Sequence, residues 1–394
     1  MKIPSNRPFL TGRELANVAE VLGSGEVASD GRYTRECSRL LEGRFRIPRV
    51  LMTPSCSSAL EIAASLCDLG PGDEVILPSF TFVSTANAFV RLGARPVFVD
   101  IRPDTLNLDE TKIERAVTAR TKAVFVVHYA GVACEMDAVM AVARKKNLLV
   151  VEDAAQGVDA FYKGRALGSI GHLGAYSFHH TKNHSCGEGG ALCVNSPALA
   201  GRAEVIRDKG TNRGKFLRGE VDRYTWVDVG SSHVPSEIAC AVLYAQLEAT
   251  EEITGRRRGL CEFYDHHLLP LARRGLLRLP HTPEGCRANG HVYYVTLPDA
   301  GTRDALLAYL NAKGVAAVTH YVPLHASPVG RRFGYREGDL PVTEEMSGRI
   351  LRLPLYSGLT EMEQAYVVRQ VSTFLLAAKV RAPKRDRLLA GGAL

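Results

Sequence analysis

Two short stretches of this chain carry residues that could act on one another. Val150-Val151-Glu152-Asp153-Ala154-Ala155-Gln156 ends an aliphatic run on a carboxylate. Ser177-Phe178-His179-His180-Thr181-Lys182-Asn183 follows, placing a hydroxyl and a lysine 24 and 29 residues after Asp153. Gly187-Glu188-Gly189-Gly190 then allows sharp turns and close backbone approach near that lysine. This order suits pyridoxal phosphate chemistry. Lys182 can form the Schiff base with the cofactor aldehyde, and Asp153 can keep the ring nitrogen protonated so that the ring accepts electrons. Ser177 can bind the cofactor phosphate. Taken singly, an acid and a lysine are most often solvated surface groups; their order on successive elements favours the chemistry.

The phosphate needs further donors. Thr53-Pro54-Ser55-Cys56-Ser57-Ser58-Ala59 lies between a strand and a helix, where backbone amides at a helix start form an anion site. Plain helix capping explains the same serines. Pro78-Ser79-Phe80-Thr81-Phe82 brings an aromatic that could stack on a cofactor ring, although a core phenylalanine also fits. His179, His180 and His184 do not converge on one face and no Cys/His pattern completes a site, so no metal is expected. The glycine cluster is neither a P-loop nor a dinucleotide fingerprint.

The elements that must position these residues can be read from the apolar pattern. Residues 73–78, 95–101, 123–128 and 148–152 read as strands, and 57–67, 81–92, 109–117 and 135–147 as helices. The strands are near-continuous apolar runs, the signature of a parallel sheet covered on both faces, and reactive groups then gather at its carboxyl edge. A helical stretch spans 235–252, and the chain leaves this large domain near Arg256–Arg258. A second alternation follows, with strands at 291–296 and 316–321, helices at 302–313 and 361–379, and a mobile tail at 380–394. The expected domains are therefore 1–255 and 256–379.

Composition narrows the function classes. The chain has 394 residues, 46% hydrophobic and 23% charged, which excludes disorder and low-complexity architectures. Its net charge of +7 is small, and five basic residues against one acid fall in Lys379–Arg387, so no folded basic face for nucleic acid is expected. Nine cysteines without a CxxC pair suit a reducing cytoplasm. The N-terminus lacks the apolar run of a signal peptide, and no segment is long and apolar enough to span a membrane.

On TPSCSSALEIA, PGDEVILPSFTFVSTANAFV, FVDIRPDT, VHYAGVACEMD, VEDAAQG, YKGRALG, SFHHTKN, GEGGA, DKGTNR, YTWVDVGSS and HYVPLH, the chain resembles the sugar-nucleotide aminotransferases of the fold type I pyridoxal-phosphate superfamily. The similarity spans about residues 2–375. It implies an α/β fold: an aspartate aminotransferase-like three-layer domain with a mainly parallel sheet, plus a smaller C-terminal α/β domain. It also implies a homodimer or dimer of dimers with shared active sites. Within the family the chain looks most like the members that aminate C4 of dTDP-4-keto-6-deoxy-glucose, with L-glutamate as donor and 2-oxoglutarate as by-product, to give dTDP-4-amino-4,6-dideoxygalactose. Amination of another nucleotide sugar, at C3 or to the gluco epimer, stays open, as does a non-catalytic scaffold.

Carried over to this sequence, the resemblance makes Lys182 the Schiff-base lysine and proton shuttle, and pairs Asp153 with the ring nitrogen. Gln156 would contact the ring hydroxyl, Phe82 would stack, and Ser57, Ser58 and Ser177 would hold the phosphate. Many relatives send an asparagine from the partner subunit to that phosphate. Val234 stands at its position here, leaving Ser231 or Ser232 as replacements. Relatives with histidine in place of the lysine dehydrate their substrates; Lys182 argues against that. Gly25–Gly31 and the segment holding His320, Tyr321 and His325 match regions lining the sugar-nucleotide site, with Lys209–Arg218 as a further candidate.

Overall fold

The computed structural model describes residues 2–381. Nine strands come first: β1 (Arg49–Thr53), β2 (Glu74–Pro78), β3 (Arg95–Val99), β4 (Thr121–Val127), β5 (Leu149–Asp153), β6 (Phe161–Tyr162), β7 (Arg165–Ala166), β8 (Leu173–Ser177) and β9 (Gly190–Val194). Three more lie further on: β10 (Cys286–Arg287), β11 (Tyr293–Thr296) and β12 (Ile350–Leu353). A seven-stranded sheet runs β1-β9-β8-β5-β4-β2-β3. Pairs from β8 to β3 are parallel, and β9 alone runs against its neighbours. The fold is α/β with a mainly parallel sheet, as the apolar runs predict.

Alternate residues of each strand feed cores on opposite faces. Ile76, Val124, Val126 and Val150 enter one; Val75, Leu77, Phe125 and Val151 enter the other. Because β1, β2, β4, β5 and β8 share a direction, their carboxyl ends meet on one edge. The helix Cys56–Leu66 begins there. Ser55 caps it, accepting from the Ser58 amide at 3.1 Å. A Cβ on Gly190 would lie 2.3 Å from the Ser55 carbonyl carbon, so only glycine lets β9 pass beneath this turn.

A separate core forms around the antiparallel pair β11–β12, with Tyr293, Val295, Leu351 and Leu353 at its centre, and Ile3 joins it from the N-terminus. The helices Ala300–Ala312 and Glu361–Arg381 flank this pair. The final helix runs two residues past its predicted end, and the remainder of the expected mobile tail lies outside the described residues.

The structure corrects three expectations. Residues 316–321 form no strand; Val318 makes one isolated bridge to Arg352, and β12 takes the place beside β11. The chain there must turn toward the sheet edge to deliver His320 and Tyr321, which a continued ladder would prevent. The helix expected over 109–117 is a 3-10 turn, Glu110–Lys112, and one α-turn, Ile113–Ala116. Finally, the stretch 235–252 belongs to two helices, Glu237–Glu248 and Thr250–Arg273. The second passes unbroken through the expected boundary near residue 256.

Candidate active site

At the carboxyl edge lies a pocket of about 530 Å³. Ser55 and Ser57 reach it from the turn after β1, Thr81 and Phe82 from β2, Asp153 and Gln156 from β5, and Ser177 from β8. Lys182 enters from the β8–β9 connection; His320, Tyr321 and Arg352 enter from the second core. Residues nearly 300 positions apart thus share one cavity.

Asp153 is buried and fixed. Its Oδ2 accepts from the Thr85 hydroxyl at 2.6 Å, and Oδ1 from the Ala155 amide at 3.1 Å. With its proton given to Asp153, Thr85 accepts from the Thr81 hydroxyl at 2.8 Å. Directly behind, Glu152 takes three amides, from Gly168, Ile170 and Gly171, and one ring nitrogen of His128. His128 Nδ1 accepts from the Cys134 amide, so its Nε2 carries the hydrogen given to Glu152. That buried network satisfies the acid and holds the end of β5 in place.

Lys182 sits in a tight turn, its amide donating to the His179 carbonyl at 2.9 Å. Burial pushes its pKa below the ordinary lysine value; Asp153 opposes that and Arg352 adds to it. A larger neutral fraction follows, which a nucleophilic amine needs.

Gln156 is held at both ends: Oε1 accepts from the Ala130 amide at 2.7 Å, and Nε2 donates to the Tyr321 hydroxyl at 2.8 Å. The Tyr321 and His320 rings stack at 3.8 Å. His320 Nδ1 lies 2.7 Å from the Tyr129 hydroxyl. Burial, then the charges of Arg352 and Lys182, push the His320 pKa down to about 2, so the ring is neutral. Phe82 is 58% exposed and faces the pocket mouth, whereas Phe80 is the buried core aromatic.

Other expected residues fall elsewhere. Ser58 does not line the pocket; its amide and hydroxyl both turn to Ser55. His325 is fully buried outside it, between the Ser79 hydroxyl at 2.7 Å and Glu344 at 2.9 Å. Ser231 and Ser232 are exposed and do not line this cavity. Asp30 and the 207–218 segment meet, but in a different groove of about 340 Å³. His179 and His180 stack on each other and His184 turns inward; among the described residues no group of three or more potential ligands gathers for a metal.

The sequence reading missed Thr85, Tyr129 and Arg352. Arg352 had a visible signal, since it is the one charge inside the apolar run Ile350-Leu351-Arg352-Leu353-Pro354-Leu355. Thr85 had none, because its role depends on a helix start meeting the end of β5.

The residues present fit pyridoxal phosphate: a fixed buried carboxylate for the ring nitrogen, an amine for the aldehyde, amides at a helix start for the phosphate and an exposed aromatic for the ring face. Comparison with known proteins agrees. The chain is 37% identical over 346 residues to a "pleiotropic regulatory protein" of Geobacillus stearothermophilus, covering 87% of this chain and 90% of that one. It is 33% identical over 371 residues to the GDP-perosamine synthase of Caulobacter vibrioides, covering 94% and 97%. The crystal structure of the aminotransferase TlmJ from Streptoalloteichus hindustanus superposes with a TM-score of 0.88 at 33% identity, covering 96% and 100%. Matched to the family pattern from residue 8 to residue 372, the chain belongs to the DegT/DnrJ/EryC1/StrS aminotransferase family, and its cofactor is pyridoxal phosphate.

Proposed function

We propose that the protein transfers the amino group of L-glutamate to C4 of dTDP-4-keto-6-deoxy-D-glucose, giving dTDP-4-amino-4,6-dideoxy-D-galactose and 2-oxoglutarate. The observation that carries the transamination is the meeting of Lys182 and Asp153 in one pocket. The acceptor and its product rest on the sequence resemblance.

When bound, pyridoxal phosphate supplies an aldehyde and an electron-withdrawing ring that stores the amino group between two half-reactions. Lys182 would hold the cofactor through its aldehyde and, once the donor amine has taken its place, its Nζ would serve as the base that accepts the proton from the donor's α-carbon. In the return half-reaction the same Nζ delivers a proton to C4 of the sugar. Asp153 would accept the hydrogen of the ring nitrogen, and Gln156 would orient the ring hydroxyl. Ser57 and Ser177, with the amides at the start of the helix Cys56–Leu66, would hold the phosphate, and Phe82 would supply the aromatic for the ring face. His320 and Tyr321 form the wall met by the sugar.

The proposed homodimer draws support from the exposed apolar residues Leu217, Trp226, Val227 and Val229, a surface suited to a second copy. That copy's pocket is where Ser231 or Ser232 finds a phosphate. We propose the cytoplasm as the location; all nine cysteines are free, and among the described residues no helix is long and apolar enough to cross a membrane. We also treat 1–255 and 256–379 as the two domains, on the strength of the separate core around β11–β12.

Two alternatives rest on the relatives. The GDP-perosamine synthase favours a GDP-linked acceptor, and the pleiotropic regulatory protein a regulatory role. Incubating the holoenzyme with glutamate and a panel of keto sugar nucleotides, with products identified by mass and NMR, separates them. A product H4 with a large axial–axial coupling to H3 removes the galacto assignment. Lys182→Ala should lose turnover and the visible-edge absorbance of the cofactor–lysine linkage; turnover at the wild-type rate defeats the assignment.

A further inference from the structure

The run Asn289-Gly290-His291 passes close against the helix Thr250–Arg273. A Cβ on Gly290 would lie 2.9 Å from the Arg257 carbonyl carbon, and its φ is +62°, so glycine is needed there. Arg257 then ties the run down, donating to the carbonyls of Gly290 at 2.8 Å and His291 at 2.7 Å. The side chains are fixed as firmly. Asn289 Nδ2 donates to the carbonyls of Gln156 and Val158, and the Asn289 carbonyl accepts from Asn183 Nδ2 at 3.0 Å. That contact decides which way the Asn183 amide points: its oxygen is the atom 3.0 Å from His291 Nδ1. An amide oxygen only accepts, so His291 Nδ1 carries the hydrogen. Burial, then the charge of Lys182, hold the ring well below the ordinary histidine pKa, so it is neutral and Nε2 is a bare lone pair. His291 lines both the pocket and a cavity of about 10 Å³ beside it, and Lys182 lines the same two. Among the described residues no N–H or O–H donates to Nε2, and the Lys182 amine has no acceptor.

We infer that His291 is the positioning residue for Lys182: once the lysine has left the cofactor, His291 Nε2 accepts one N–H of Nζ and aims the amine's lone pair at the reacting carbon. This rests on the aminotransferase reading. A neutral amine has two N–H bonds and one lone pair, and only the lone pair can take a proton. The flexible lysine stem does not aim it. A rigid acceptor that holds one N–H does, and the orientation is in place before the proton moves. The other acceptors nearby are spent: Asp153 on Thr85 and the Ala155 amide, Gln156 Oε1 on the Ala130 amide. Nε2 is not. His291 takes no proton itself, because its ring stays neutral, so the proton remains on Nζ until the cofactor or the sugar carbon receives it.

Two substitutions separate the two ring nitrogens. An asparagine side chain reaches only the position of Nδ1, so His291→Asn keeps the bond to Asn183 and loses the acceptor. A glutamine reaches the position of Nε2 and restores one. In His291→Asn holoenzyme, followed by the cofactor absorbance, both half-reactions should slow by about tenfold, while KM for glutamate stays within about twofold. The isotope effect from glutamate deuterated at the α-carbon should grow, and His291→Gln should recover part of the rate. The tautomer is read without turnover. Nitrogen NMR of the histidine-labelled, pyridoxamine-loaded wild-type protein should show, in the signal that His291→Gln removes, a protonated Nδ1 and a bare Nε2. That measurement decides the matter even where the asparagine variant does not fold. A protonated Nε2, wild-type rates in His291→Asn, or a loss confined to KM overturns the assignment. A glutamate half-reaction with the wrong tautomer refutes this role alone. A wild-type protein with no glutamate half-reaction refutes the aminotransferase reading, and the His291 role falls with it.

Discussion

The Thr85 hydroxyl donates to Oδ2 of Asp153 at 2.6 Å, joining the first turn of one helix to the end of a strand 68 residues later. Held there and at the Ala155 amide, the carboxylate cannot rotate away, and little reorganisation is left for the moment the ring nitrogen arrives. Thr85→Val keeps the shape and removes the donor. A hydrogen bond to a charged group is worth about 1.5–3 kcal/mol, so kcat should fall about tenfold or more. Steady-state kinetics check this; an unchanged kcat with normal cofactor affinity counts against a positioning role for Thr85.

His325 should matter for stability before it matters for substrate. It joins Ser79, just after β2, to Glu344 in the helix Pro341–Arg349, and both ring nitrogens are engaged. His325→Ala should cost about 2–4 kcal/mol in urea unfolding, since it empties a buried site and removes the ring partner of the buried Ser79 hydroxyl and of the half-buried Glu344 carboxylate. KM for the sugar nucleotide should stay within twofold. A large KM change at wild-type stability would return His325 to the substrate site.

Acid sensitivity should have a contribution from His184. The ring is buried with neither nitrogen bonded among the described residues, and burial lowers its pKa from 6.5 to about 3. Between those values the unfolded chain binds a proton that the folded chain refuses, so stability falls as pH drops through 6.5 toward 3. The slope is at most about 1.4 kcal/mol per pH unit for one such group. His184→Leu should flatten the stability profile of the apoprotein between pH 6 and pH 4.5 by about that amount. An unaltered profile rules His184 out as the source.

Trp226 can report on association directly. It is the chain's single tryptophan and is 74% exposed, as Val229 is at 77%. If this surface meets a second copy, dilution should red-shift the fluorescence as the indole returns to water. Trp226→Asp should sediment as a monomer and lose most activity. A fully active monomer removes the shared-site proposal.

Much of the large sheet was legible because its strands are buried on both faces, which leaves long apolar runs. Asp153 and Lys182 stood out because chemistry needs them at fixed points on that sheet. The second core was harder to read. β12 is four residues long and its partner β11 lies more than 50 positions upstream, so neither carries its own pairing signal. Arg352 was missed with it. His325 was placed in the pocket by proximity to His320 and Tyr321, but Pro323 and Leu324 turn the chain inward between them. Segment-level resemblance does not register such a turn.

The helix Thr250–Arg273 bears on how the chain yields to a protease. A domain boundary usually offers a linker that enters a cleft and is cut. Here residue 256 lies inside a continuous helix, and Arg257 rivets that helix to the carbonyls of Gly290, His291 and Leu355. Cleavage at this point must wait until the helix, which carries Tyr264 and Leu268 into the second core, comes away from it. The exposed stretch from Arg218 to Ser232 offers no loose linker either, since Thr225 donates to Asn212, Val227 and Asp228 to the Gly210 carbonyl, and Ser231 to the Ile206 carbonyl.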